Sequence, residues 1–303
     1  MAEEMEKQFS VDAQANLSVS NIRGSVEIRS GEAGLIQVKA VKRSNNGDEN
    51  RTEIEIAQET DGSVRVVTHF PDVSWNWLGG VQPCEVDYEI TAPSTCSLTL
   101  KGVSNSVQAE GFEAAVSVVS VSGEIYLRNI KGSTRIKTVS GDAKAELISG
   151  ALILDTVSAD MKIKESAMVS IEANSVSGDL RIHTTLAQGP YMFNSVSGDV
   201  CLIVPPESRF TAKLSSLSGD LMPAFPITGG SHKFGSQMVQ IQGGGVIVTM
   251  HSVSGDLTFD RNGDTSPVQQ PVVTNSLEER RAVLERLDRG EMTVAEALDH
   301  LHS

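Results

Sequence analysis

The most regular feature of the sequence is an alternation of apolar and polar residues that restarts about every 18 residues. In the copy at 175–182, Ser-Val-Ser-Gly-Asp-Leu-Arg-Ile, the Val, Gly, Leu and Ile share one parity, whereas the central Ser, the Asp and the Arg share the other. Alternate side chains of an extended chain point to opposite faces, so the pattern predicts a half-buried β-strand with Val, Gly, Leu and Ile inward. The glycine then marks a bend or a close approach of two backbones.

The alternation belongs to a repeated motif, Ser-Val-Ser-Gly-Asp, with close variants. Its central serines are Ser122, Ser140, Ser158, Ser177, Ser197, Ser218 and Ser254. Successive serines are 18, 18, 19, 20, 21 and 36 residues apart, and we interpret the last step as two turns of 18. A fixed period of this size predicts a repeat fold. Eighteen residues are too few for a strand-helix-strand unit, but they suffice for one coil of two strands and two corners.

The predicted fold class is therefore all-β, a single-stranded β-helix (β-solenoid) with coils of about 18 residues, plus a small C-terminal α-hairpin. We assign 1–260 to the solenoid, with N-terminal capping strands in 1–100 and regular coils in 98–260. Asn21-Ile22-Arg23-Gly24 resembles Asn129-Ile130-Lys131-Gly132, 108 residues or six periods later, which places the N-terminal segment in the same repeat. A hairpin is expected around Asp61-Gly62.

The character of the chain changes after the last repeat. Residues 261–276 have the composition of a linker. In 277–303, capping boxes at Ser276 and Thr293 and a terminating Gly290 predict two short helices. A hairpin of this size is too small to be stable alone, so we expect it to dock on the solenoid or to pair with a second copy.

Candidate partner contacts lie where the repeat breaks. Both tryptophans of the chain, Trp75 and Trp77, fall in the irregular segment 71–83. The segment is either a lid folded over the solenoid or an exposed aromatic contact, since Trp is enriched at binding hot spots. The predicted contact residues are Trp75, Trp77, Leu284, Leu287, Leu298 and Leu301.

Charge and cysteine usage narrow the class of protein. The net charge of −14 and the pI of about 4.9 disfavour nucleic acid and anionic lipid as partners. Cys84, Cys96 and Cys201 have no metal-ligand spacing, so buried thiols are expected, with a Cys84–Cys96 bridge as the alternative. The charged N-terminus lacks an apolar signal segment, and no run reaches about 18 apolar residues. The predicted location is the cytoplasm, with peripheral association with the membrane left open.

The repeated serines and aspartates raise the question of chemistry. The serines have no base at fixed spacing, and the sequence predicts no catalytic residue, cofactor or metal site. One alternative is a calcium ladder on the aspartates, although ligation needs six or more oxygens. Another is a polysaccharide-active enzyme, which needs paired carboxylates in a groove, whereas here they occur one per coil. The leading hypothesis is a non-enzymatic scaffold; a bactofilin-like filament is disfavoured, because capping segments block end-to-end growth.

Several phrases carry a family resemblance over about 20–260. Cys201–Phe210 followed by Ser216–Asp220, and Val86–Pro93, resemble a bacterial β-solenoid domain of unknown function known as the "putative adhesin" family. Leu277–Leu298 is similar to the short SHOCT-like helical hairpin often attached to it. The resemblance implies an interaction protein connected with cell-envelope stress, in which the hairpin mediates oligomerisation or partner docking.

Overall fold

The structure is a computed structural model that describes residues 2–12, 14–43, 47–71, 82–233 and 235–261. In these residues the chain forms 21 β-strands and no helix, so the described part is all-β. The tryptophan segment and the hairpin at 277–303 lie outside the described residues, as does the linker beyond Arg261. Their predicted structures stay predictions.

The strands follow one another with short connections. The N-terminal strands are β1 Ala2–Ser10, β2 Asn16–Gly31, β3 Leu35–Arg43, β4 Glu53–Gln58, β5 Val64–His69 and β6 Glu85–Pro93. The middle strands are β7 Ser97–Glu110, β8 Val116–Ser122, β9 Ile125–Ile130, β10 Thr134–Ser140, β11 Ala143–Ser158, β12 Met161–Ser177, β13 Leu180–Thr184, β14 Tyr191–Ser197 and β15 Val200–Val204. The C-terminal strands are β16 Phe210–Ser216, β17 Leu221–Pro223, β18 Ile227–Lys233, β19 Ser236–Ile241, β20 Val246–Ser254 and β21 Leu257–Arg261.

Parallel pairing between successive turns makes the chain a β-solenoid. Each coil contributes one strand to each of two faces, which we call face A and face B. Face A runs in the order β5–β2–β7–β8–β10–β11–β12–β14–β20–β16, all parallel. Face B runs β6–β2–β7–β9–β11–β12–β13–β15–β21–β17, also parallel. Long strands such as β11 and β12 continue around a corner and so belong to both faces.

The order of coils in the stack differs from their order in the sequence at both ends. The coil of β2 lies between β5/β6 and β7, so it stacks next to a coil that follows it by about 80 residues. The register pairs Asn21 with Gly102, and Gly102 with Ser120. The predicted equivalence of Asn21–Gly24 with Asn129–Gly132 is therefore wrong in register. Asn21–Gly24 occupies the position of the Ser-Val-Ser-Gly motif.

The C-terminal end shows the same insertion. The coil of β20 and β21 stacks between the coil of β14 and β15 and that of β16 and β17. The prediction that the 36-residue step from Ser218 to Ser254 is two turns of the solenoid is therefore wrong. The intervening chain forms the antiparallel pair β18 and β19. The chain then returns as β20 and β21, which lie between the two earlier coils.

Antiparallel strands close the ends of the stack. On face A, β4 pairs with β5 and β19 with β16, each antiparallel. On face B, β3 pairs antiparallel with β6, and β1 with β3. The expected hairpin around Asp61-Gly62 is the connection between β4 and β5. These strands cover edges that would otherwise present unpaired backbone groups.

One hydrophobic core runs through the solenoid. Its central column on face A contains Val118, Ile136, Leu154, Ala173 and Phe193, all at most 1 % exposed. Towards the C-terminal end aromatic rings replace the aliphatic chains. Phe210 stacks on Phe259 at 4.5 Å between ring centroids and meets Phe225 edge-on at 5.6 Å. Among the described residues, no helix has the length and apolarity needed to cross a bilayer.

Candidate interaction surface

The Ser-Val-Ser-Gly-Asp motif is a corner between face A and face B. Upstream of the corner, Ile171 and Ala173 point inward, whereas downstream the inward residues are Leu180 and Ile182. The inward positions change from odd to even numbers, because the backbone leaves the extended conformation at Gly178, which has a φ of +136°. Val176 has an even number, like the inward residues of the downstream strand, but it lies in the upstream strand, where even-numbered side chains point outward. The prediction that the motif valines are buried is therefore wrong.

These valines form an exposed row along the solenoid. The motif valines are between 45 and 51 % exposed, and Leu217, which replaces Val in one copy, is 71 % exposed. The register of face A aligns them, one per coil, with the half-buried Ile22 at the N-terminal end. We call this row the aliphatic ridge; in stacking order it comprises Ile22, Val103, Val121, Val139, Val157, Val176, Val196, Val253 and Leu217.

The ridge is continuous because neighbouring rungs are one strand spacing apart. Nine rungs span eight intervals of about 4.8 Å, or roughly 38 Å. Half-exposed aliphatic side chains on this scale present roughly 300–500 Å² of apolar surface, the size of the largest patch on a typical soluble monomer, which is often a functional site. Single exposed valines are ordinary, but seven valines and a leucine exposed in register are not.

Two hydroxyl columns flank the ridge within the motif. The first Ser or Thr of each copy points inward, and Ser120, Thr138 and Thr156 are almost fully buried. The central serines point outward, as predicted, and Ser140, Ser177 and Ser197 are exposed. The ridge is thus bordered on one side by uncharged hydroxyls at the surface.

The corner glycine has a steric reason. A Cβ at Gly178 would lie 2.3 Å from the carbonyl oxygen of Ala159 on the preceding coil, and a Cβ at Gly198 would lie 2.4 Å from that of Gly178. Such contacts are shorter than real side chains make, so neither Gly178 nor Gly198 has room for a side chain, although Ala159 and Asn105 occupy the same corner position in two other coils. The predicted close approach of backbones is confirmed.

The aspartates that follow the glycine form a hydrogen-bonded ladder. The Oδ1 atom of each aspartate accepts the backbone N–H of the aspartate on the next coil. The amide donor and carboxylate acceptor pairs are Asp160 to Asp142 (3.2 Å), Asp179 to Asp160 (2.9 Å), Asp199 to Asp179 (3.0 Å), Asp256 to Asp199 (2.9 Å) and Asp220 to Asp256 (2.8 Å). The sequence showed that the aspartates recur once per coil, but it did not show this hydrogen bond. The bond satisfies the backbone N–H of each aspartate, which has no carbonyl partner at the corner.

Other residues make related bonds at the corner near the ends of the solenoid. In the N-terminal coils, Asp87 accepts the backbone N–H of Ser25 at 2.9 Å. At the C-terminal end, the side chain of Gln237 donates to the carbonyl of Gly219 at 3.2 Å and accepts the N–H of Leu221 at 3.0 Å. The aspartates therefore have a structural function in the fold before any ligand is considered.

Side chains for other chemistry are dispersed. In the part of the chain that the structure describes, no group of three or more His, Cys, Asp or Glu side chains is placed to hold a metal ion. Cys84, Cys96 and Cys201 are free thiols, so the structure does not contain the alternative Cys84–Cys96 bridge. Burial, and then the charge of Asp260, raise the pKa of the Cys201 thiol to about 11, which opposes nucleophilic reactivity.

The contact residues predicted from the sequence are not tested by this geometry. Trp75, Trp77, Leu284, Leu287, Leu298 and Leu301 all lie outside the described residues. Sequence reasoning missed the aliphatic ridge instead. The sequence contained a sign of the ridge. The inward residues 171, 173 and 175 have odd numbers, whereas the inward residues 180 and 182 have even numbers. This change of parity indicates a corner within the motif.

Fold and surface together define a β-solenoid with a continuous apolar row on one corner. The family comparison agrees with this class: the chain belongs to the Toastrack family of domains of unknown function, DUF4097, whose model matches residues 14–260. A comparison with curated proteins gave no match.

Two solved structures illustrate what this chain is similar to. One, described as a "putative adhesin" from Bacteroides fragilis, is 10 % identical, covers 85 % of this chain and 97 % of its own, and has a TM-score of 0.49. Another, described as a "putative lipid binding protein" from Parabacteroides distasonis, is 11 % identical, covers 84 % of this chain and 96 % of its own, and has a TM-score of 0.35. At these scores neither structure carries an argument about function.

Proposed function

We propose that the protein is a non-enzymatic interaction scaffold that binds a protein partner along the aliphatic ridge. The observation that carries the proposal is the register of nine aliphatic side chains, eight of them about half exposed or more. A rigid stack holds these side chains in place, so a partner would not have to order them, and little conformational entropy is lost on binding.

The remaining parts of the hypothesis concern the hairpin, which lies outside the described residues, and the place where the protein works. We propose that the hairpin at 277–303 mediates self-association or docking, and that the protein works in the cytoplasm near the cell envelope. Light scattering on the full chain and on a chain ending at residue 276 tests the first part. An unchanged oligomeric state after truncation would contradict it.

Photo-crosslinking in the producing cell tests the main proposal. A photoreactive amino acid replaces Val157 on the ridge in one variant and Ile227, an exposed residue off the ridge, in a matched control. We expect a discrete crosslinked protein from position 157, identified by mass spectrometry, and none from position 227. Equal crosslinking at the two positions, or none at position 157, would refute binding along the ridge.

A further inference from the structure

The aliphatic ridge and the aspartate ladder occupy the same corner of the solenoid. In each regular coil the aspartate follows the ridge residue by three positions, as Asp179 follows Val176. Both rows run parallel to the stacking axis over the six coils from Val139 to Leu217. We propose that this strip binds a cationic amphipathic α-helix of a partner protein, lying along the axis. The inference rests on the proposed function and specifies the chemistry of the partner.

The spacing of the rungs favours a helix over an extended peptide. Apolar residues three and four apart on a helix advance about 5.2 Å per turn, close to the roughly 4.8 Å between coils. Over five intervals the mismatch sums to only about 2 Å, so a helix of about 16 residues can keep contact with all six rungs. Same-face residues of an extended chain are about 6.7 Å apart, and they would lose register after two rungs.

The charge next to the ridge favours a basic partner. Asp142, Asp160 and Asp179 have a cationic neighbour two residues on, namely Lys144, Lys162 and Arg181. At the other three rungs, Asp199, Asp256 and Asp220, the equivalent residues are uncharged: Cys201, Thr258 and Met222. None of the six carboxylates makes an ion pair with another described residue. Lysines beside the apolar stripe of a helix would meet this excess of negative charge.

A second copy of the chain fits the strip less well. Each copy would bring its own aspartates to the shared contact, where like charges repel. A lipid surface is disfavoured for a related reason, because the aspartates would have to approach anionic headgroups.

The test measures binding of labelled 18-residue peptides to the full chain by fluorescence anisotropy. One peptide carries leucines on one helical face and lysines on the other. A second replaces the lysines with glutamates, and a third scrambles the first so that the stripe is lost. We expect the first peptide to bind at least about tenfold more tightly than either control, with an affinity that falls as salt increases.

Matched variants locate the site. Replacing Val157, Val176 and Val196 with Thr keeps the β-branched shape of these exposed side chains. The triple substitution should weaken binding of the lysine peptide about tenfold or more. The control replaces Val169, Ile227 and Ile247, exposed residues off the ridge, with Thr and should change the affinity less than about twofold. Asp199→Asn with Asp256→Asn keeps the Oδ1 acceptors, and it should weaken binding and flatten the salt dependence.

Other outcomes would overturn the inference. Equal binding of the glutamate peptide, or no effect of the ridge substitutions, contradicts it, as does association with neutral lipid vesicles or self-association that the ridge substitutions abolish. The crosslinking experiment separates the two levels of the argument. If no peptide binds while position 157 still crosslinks a protein, the helix inference fails and the proposed function stands; if both fail, both are wrong.

Discussion

Replacing Gly178 with alanine should destabilise the protein more than a glycine substitution at an ordinary turn. Two costs combine at this residue. Its φ of +136° is one that residues with a side chain rarely adopt, which costs about 1–2 kcal/mol. In addition, the new Cβ would lie 2.3 Å from the Ala159 carbonyl oxygen, so the backbone must shift by almost an ångström.

The shift disturbs hydrogen bonds between coils that have ordinary, well-formed lengths. The Asp179 N–H donates to Asp160 at 2.9 Å and the Asp179 carbonyl accepts from Met161 at 2.9 Å. Loss or stretching of these two bonds adds about 1–2 kcal/mol, so the expected total is about 2–4 kcal/mol.

Two further variants separate the two costs. Gly62→Ala changes a residue with a φ of +82° and no atom within 4 Å of the new Cβ, so only the conformational cost of about 1–2 kcal/mol applies. Gly141→Ala places a Cβ 2.3 Å from the Gly123 carbonyl without a positive φ, so only the contact cost of about 1–2 kcal/mol applies. The assay is urea unfolding followed by circular dichroism, with the slopes compared. If Gly178→Ala costs no more than either control, the reasoning is refuted.

Four further predictions follow from the corner and the thiols. Asp179→Ala should lower the free energy of unfolding by about 1 kcal/mol, because the N–H of Asp199 loses its acceptor, whereas Asp179→Asn should be nearly neutral in the same urea assay. Leu147 has a positive φ of 57°, and Asn129, the residue at the same position on the neighbouring coil, has one of 52°. Because asparagine tolerates a positive φ better than leucine, Leu147→Asn should stabilise the protein by about 0.5–1 kcal/mol. A lower melting temperature would contradict this argument. A thiol with a pKa of about 11, such as that of Cys201, is only about 0.1 % ionised at pH 8. Cys201 should therefore react with iodoacetamide about a hundredfold more slowly than a free cysteine at pH 8, and its rate should increase as the pH rises towards 11. Rapid labelling at pH 8 would refute this. Because the aspartate carboxylates already accept backbone amides, millimolar calcium should leave the melting temperature unchanged relative to a chelator, and a clear rise would restore the calcium ladder hypothesis.

Much of the architecture could be predicted because it is periodic. A motif that returns every 18 to 21 residues, with alternating parity within each strand, indicates stacked β-coils whatever their order. The exposed Ser and Asp columns and the buried Leu180 and Ile182 follow from the same alternation. These properties are local, since they depend only on which neighbours lie two residues apart along an extended strand.

The ridge and the order of the coils depended on the tertiary structure. Alternation predicts the direction of a side chain only while the backbone stays extended, and the glycine corner breaks the phase between Val176 and Leu180. The order of coils is not local either: Ser252 pairs with Ser195 on one side and Ser216 on the other, in the same register that any two copies of the motif could adopt. Identical motifs cannot specify which neighbour each one takes. The capping strands and the packing of the end coils decide this, and they thereby align the nine aliphatic rungs into one row.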